Sequence, residues 1–153
     1  MIYLAADHRG FELKEKIKEW LKEWGYEYED MGAFEFDKDD DYPDFISKAA
    51  EKVSQDPENS RAIIMGGSGQ GEAMVANRYK GVRAAIYYGG SEEIVKLSRE
   101  HNNANVLSLG LAIGSTFEGS KPMDEETAKK AIKVWLETPF SEDERYIRRI
   151  SKF

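Results

Sequence analysis

The residues with the clearest chemical potential lie together. Directly after the apolar run Ala62–Met65 the chain reads Gly66-Gly67-Ser68-Gly69-Gln70-Gly71-Glu72. Four glycines in six positions let the backbone turn tightly and expose its N–H groups. Those donors, with the positive end of a following helix, suit a phosphate, a carboxylate or an enolate oxygen. No Lys-Ser/Thr pair follows, and the dinucleotide spacing GxGxxG is missing, so neither nucleotide fingerprint applies. A glycine turn after a strand is often only structural. Glu72 shifts the balance, because a carboxylate beside an oxyanion-binding turn is placed to remove a proton next to a carbonyl.

Few other residues compete for a chemical role. The 153-residue chain contains no cysteine and two histidines, His8 and His101. Without cysteine there are no disulfides, thiolate nucleophiles or thiolate metal ligands. His8 ends the first apolar run, and His101 closes a helical segment. Both are expected at the edge of the molecule that carries the glycine turn. Asp7, His8, Glu72 and His101 offer metal-ligand types, but no HxxxH-like spacing supports a metal site. The tail ERYIRR puts Arg145, Arg148 and Arg149 on about one helical turn. Arg145 and Arg149, four apart, share a face that can grip a phosphate, although a solvated helix end is the plainer reading.

The formal charge of −7 disfavours nucleic acid and anionic lipid as partners. An anionic substrate therefore needs a local basic cluster. No apolar run approaches the roughly 20 residues of a membrane span. The start, MIYLAADHRG, lacks the features of a signal peptide, so a cytoplasmic location is expected.

Apolar runs alternate with amphipathic stretches along the whole chain. Strands are expected at 2–6, 26–31, 62–65, 82–87 and 106–109. Helices are expected from Gly10 to Trp24 with Gly25 as the stop, and from Pro43 to about Ser54 with Asp41 as N-cap. Further helices follow the glycine turn and span 91–102, 125–137 and 142–150, with 110–124 irregular. In the first helix Leu13, Ile17, Trp20, Leu21 and Trp24 share the apolar face, while Lys and Glu fill the other. Uniformly apolar strands alternating with helices indicate one domain over residues 1–153. Its expected architecture is an α/β three-layer sandwich around a five-stranded parallel Rossmann-like sheet. Ligands of such folds gather at the carboxyl ends of the strands. Asp7-His8, the Gly66–Glu72 turn and the segment after Leu109 should then line one crevice.

Several segments in this order resemble the type B ribose-5-phosphate isomerase family of sugar-phosphate isomerases. They are AADHRGFELK, DYP at Asp41–Pro43, GGSGQGEAMVANRYKGVRAA, SREHNNANVLSLG and TPFSEDERYIRRI. The resemblance implies a cofactor-free, metal-free aldose–ketose isomerase of ribose 5-phosphate, with a hexose 6-phosphate enzyme or a non-catalytic relative as alternatives. It implies that Asp7 and His8 hold sugar hydroxyls and phosphate, and that His101 opens the furanose ring. Asn102 would bind the enediolate, Ser68 would relay a proton, and Tyr42 would sit at the sugar. The N–H groups of Gly67, Gly69 and Gly71 would face the intermediate. Arg145 and Arg149 would come from a partner subunit, which implies a homodimer, with a tetramer left open. Many members place a cysteine base at the position of Gly66. A subclass with glycine there carries a glutamate after the loop, and GQGE is similar to its pattern, which assigns the base to Glu72. Two departures concern the substrate. Ala112 stands where an arginine is common, and the stretch 114–124 is long and contains Lys121. Tyr146 replaces a histidine common in the tail.

Overall fold

The computed structural model describes residues 1–111 and 122–153. Ala112, Lys121 and most of the 114–124 stretch lie outside the described residues. Five strands form one sheet: β1 (Ile2–Ala6), β2 (Tyr28–Asp30), β3 (Arg61–Gly66), β4 (Ala84–Tyr87) and β5 (Val106–Gly110). All neighbours are parallel, in the order β2-β1-β3-β5-β4. The described helices are α1 (Phe11–Glu23), α2 (Pro43–Gln55), α3 (Gln70–Ala76), α4 (Glu92–Asn102), α5 (Glu125–Glu137) and α6 (Glu144–Ile150). None of them is long and apolar enough to cross a membrane.

The three layers follow from the strict alternation of the central strands. Ile63 and Met65 join Leu4, Leu107 and Leu109 against Ile17, Leu21, Ile132 and Trp135 of α1 and α5, with Val95 of α4. Ala62 and Ile64 face the other way, against Ile46, Ala49 and Val53 of α2 and Ala76 of α3. Both faces of β3 beyond Arg61 are therefore dry, and Ala62–Met65 reads as one apolar run because neither side meets water.

Differences from the sequence expectation are local. β2 is shorter than 26–31, although Ile2 N–H still donates to Glu27 O and Met31 N–H to Leu4 O. β4 begins at Ala84 rather than Val82. Asp41 is not the N-cap of α2. Tyr42 already has helical angles and occupies that position without a side-chain cap, while the Asp41 carbonyl accepts from Asp44 N–H at 3.1 Å. In α6 the cap is Asp143, whose carboxylate accepts from Arg145 N–H at 2.9 Å. Gly25 does end α1, with φ of +77°. Lys14 departs from the charged face of α1. It is fully buried, and its ammonium donates to Asp30 at 2.6 Å and to the Ala33 carbonyl. A buried ammonium needs such partners, and here they tie α1 to β2 and to the loop after it.

The order of strands positions the site. β3 lies between β1 and β5, so the turn after β3 is flanked by Asp7-His8 after β1 and by Gly110-Leu111 at the end of β5. Leu111 N–H donates to Gly66 O at 3.1 Å, which fastens the third segment to the turn. Asp7-His8, the glycine turn and Gly110-Leu111 thus meet at one edge, and the rest of the segment after Leu111 lies outside the described residues until residue 122.

Candidate active site

The turn after β3 is shaped by what its glycines leave out. Gly69 has φ of +72° and forms the N-cap of α3. A Cβ there would meet the Gly110 backbone nitrogen at 3.0 Å, so the turn sits flush against β5. The buried Ser108 hydroxyl donates to Gly69 O at 2.6 Å and pins it. Gly71 lies under Tyr42, whose hydroxyl oxygen would be 2.6 Å from a Cβ at that position. Ser68 Oγ accepts from Gln70 N–H at 3.2 Å.

Gly66 matters most. A Cβ built on it would overlap the carboxyl group of Glu72. The glutamate side chain thus folds back over the end of β3, into space that any other residue at position 66 would fill. Glu72 is 4% exposed. Burial pushes its carboxyl above the ordinary range, and the charge of Asp7 adds to that push. The backbone N–H groups of Glu72 and Gly69 act in the opposite sense. The result is a buried carboxylate close to Asp7 whose proton affinity is raised.

Asp7 is 6% exposed, and its Oδ1 accepts from Arg9 N–H at 2.9 Å and Gly10 N–H at 3.2 Å. Burial raises its pKa despite those two bonds. His8 stands beside it with Nδ1 2.6 Å from Asp40 Oδ1. Asp7, His8, Tyr42, Ser68, Gly67, Gly69, Gly71 and Glu72 therefore share one end of the sheet.

His101, Asn102, Arg145 and Arg149 do not join them within the chain. α4 runs back against the strands, so its carboxyl end lies where β5 begins. β5 then covers about 13 Å before reaching the crevice. Both histidines at one edge was the expectation; a helix returning antiparallel to its strands puts His101 at the opposite edge. There it stacks on Tyr146, with ring centroids 4.3 Å apart and planes at 22°. The Arg145 guanidinium lies over the same Tyr146 ring at 4.5 Å and donates to its hydroxyl. Arg145 and Arg149 are both exposed, as is Asn102. His101 and Arg145 thus meet through Tyr146, and Asn102 and Arg149 lie on the same two helices, α4 and α6.

Two residues at the first cluster escaped sequence reasoning. Asp40 sits in the acidic run Asp37–Asp41, where composition signals only a polar loop. The Arg9 Cγ lies 3.8 Å from a Cβ built on Gly67, so the stem of its side chain borders the glycine turn. The set Asp7, His8, Glu72 and His101 is not assembled, since His101 is distant. Asp7, His8 and Asp40 instead offer ligand atoms within 4.8 Å of one another. The 2.6 Å between His8 Nδ1 and Asp40 Oδ1 is a hydrogen bond. Two ligands of one tetrahedral ion stand about 3.4 Å apart.

Comparison with known proteins gives the same relatives by sequence and by fold. The family model for Ribose/Galactose Isomerase matches residues 2–153. Ribose-5-phosphate isomerase B of Mycobacterium leprae is 41% identical over 149 residues, covering 97% of this chain and 85% of that protein. The crystal structure of ribose-5-phosphate isomerase B from Mycoplasma genitalium with bound ribulose-5-phosphate superposes with a TM-score of 0.87 at 37% identity, covering 99% of this chain and 91% of that one. The enzyme from Thermotoga maritima gives a TM-score of 0.83 at 36% identity, with 99% and 94% covered. On its fold, its glycine turn and these matches, the chain belongs to the ribose/galactose isomerase family.

Proposed function

We propose that the protein interconverts ribose 5-phosphate and ribulose 5-phosphate through a 1,2-enediolate, without a metal or organic cofactor. The observation that carries this reading is the Glu72 carboxylate, buried against Gly66 at the end of β3 and raised in proton affinity. In the open-chain aldose Glu72 takes the C2 proton, and the electron pair forms the C1–C2 double bond as the C1 carbonyl becomes an oxyanion. Backbone N–H groups of the Gly67–Gly71 turn stabilise that charge. Ser68 relays the hydroxyl proton from O2 to O1. Glu72 then returns its proton to C1, leaving the carbonyl at C2.

The remaining roles divide between the two clusters. His8 holds the phosphate and Tyr42 the sugar from the crevice side. His101, assisted by Asp7, opens the ring, Asn102 binds the enediolate, and Arg145 and Arg149 hold the phosphate. Since those four lie on the far edge of their own chain, they enter the crevice of a second copy. The working unit is thus a homodimer. The protein works in the cytoplasm on a free sugar phosphate, with no nucleic-acid or membrane partner.

A panel of aldose and ketose phosphates in deuterated water tests the reaction. Deuterium at C2 of recovered ribose 5-phosphate is expected. Exchange only with a hexose 6-phosphate would move the substrate within the family, and no exchange with any sugar phosphate would overturn the isomerase reading.

A further inference from the structure

The loop between β2 and α2 contributes one side chain to the crevice whose place has no structural explanation of its own. The Asp40 side chain is 6% exposed. Its Oδ1 accepts twice from one residue, from His8 Nδ1 at 2.6 Å and from the His8 backbone N–H at 3.2 Å. Its Oδ2 is buried without a partner among the described residues. A carboxylate placed only to hold the loop would satisfy both oxygens. Here everything it does is directed at His8.

The imidazole is fixed from other sides as well. The Phe36 ring meets it edge-on, with centroids 6.4 Å apart and planes at 88°. The loop itself is tied down by Lys14, which donates to Asp30 and to the Ala33 carbonyl. A carboxylate oxygen only accepts, so the short contact puts the ring proton on Nδ1. Nε2 then has no partner among the described residues, and His8 remains about a quarter exposed at the crevice.

We propose that Asp40 is a positioning residue for His8: it holds Nδ1 protonated and the ring turned so that Nε2 faces the anionic end of the substrate, to which it donates when the bound ring carries its second proton. The proposal rests on the isomerase reading for its substrate, but the tautomer is measurable without turnover. Because the His8 backbone N–H donates to the same oxygen, an asparagine at position 40 would keep its carbonyl oxygen in place. The acceptor is what His8 requires.

Long-range proton–nitrogen NMR of the nitrogen-15-labelled protein at about pH 8, where histidine is ordinarily neutral, reads the tautomer directly. There are only two histidines, and the spectrum of His101→Gln assigns them. In Asp40→Ala, His8 is expected to lose its fixed Nδ1-protonated form while His101 is unchanged. KM for ribose 5-phosphate should rise at least ~10-fold, the usual scale for losing a partner that orients a histidine, with kcat within about twofold. Asp40→Asn should keep the tautomer and a KM within about threefold of the parent. An unchanged His8 tautomer or an unchanged KM in Asp40→Ala would overturn the proposal. Should the alanine variant not fold, loss of the Nδ1-protonated form in Asp40→Asn would overturn it equally. Absence of turnover in the parent protein, with the tautomer changing as described, would instead count against the isomerase reading alone.

Discussion

The two clusters of candidate residues are built on opposite physical terms. The crevice cluster is made of carboxylates withdrawn from water: Glu72 and Asp7 are 4% and 6% exposed, and burial raises the proton affinity of both. The tail cluster is made of exposed cations on a seven-residue helix, braced by the stacked pair His101 and Tyr146. The proposed base has to be desolvated and held to a fraction of an ångström, and packing Glu72 into the space of a missing side chain within one chain suits that. A phosphate grip needs charge and reach, and an exposed helix can offer both to a neighbour. The division predicts that substituting Glu72 acts on kcat and substituting the tail arginines acts on KM.

The largest expected effect is at the base. Glu72→Gln should lower kcat by ~10²–10⁴, measured by steady-state isomerisation; near-normal turnover would remove Glu72 from the chemistry. Gly66→Ala comes next. Its methyl group occupies the carboxyl position of Glu72, and a displacement of that size should lower kcat by ~10² while the fold persists. Circular dichroism with kinetics separates misplacement from unfolding.

Arg149→Ala should raise KM about tenfold to a hundredfold, the value of one charge-assisted phosphate contact, with a smaller change in kcat. Mixing this variant with Glu72→Gln sharpens the comparison further. Each is impaired alone, and subunit exchange should restore activity by making one intact site in the mixed dimer. A mixture no more active than its parts would place both clusters in the service of one chain.

The smallest effect concerns pH. A raised Glu72 pKa places the acid limb of kcat/KM above the ordinary glutamate value of 4.5. Asp7→Asn removes a charge that contributes to the shift, so the limb should move to lower pH. Stability follows the same sign. A carboxyl with a raised folded pKa binds more protons folded than unfolded, so its contribution is lost as pH rises through that window. Glu72→Gln should therefore unfold at a higher temperature than the parent at neutral pH. The gap should close below the unfolded value near 4.5, as read from melting midpoints across pH.

Much of this was legible in residue order. The alternation of apolar runs with amphipathic stretches determined the parallel sheet, because strands dry on both faces read differently from any other element. The glycine spacing with Glu72 marked the turn that the fold then packs between Asp7-His8 and the end of β5. Element ends were less legible. Asp41 offered a capping side chain, yet the chain enters α2 one residue later, because the backbone turn there satisfies its own donors. Lys14 looked like part of a solvated face until Asp30 and the Ala33 carbonyl came within its reach.

What only the tertiary structure decided was company. His8 and His101 are both at ends of elements, and sequence assigned them to one edge; the return direction of α4 separated them by the length of β5. Asp40 was one aspartate among several, and the fold of its loop alone brought it under His8. Side-chain type and spacing report local propensity and which face is dry. They carry no record of which distant loop is folded over which strand end, because that follows from packing the whole sheet at once.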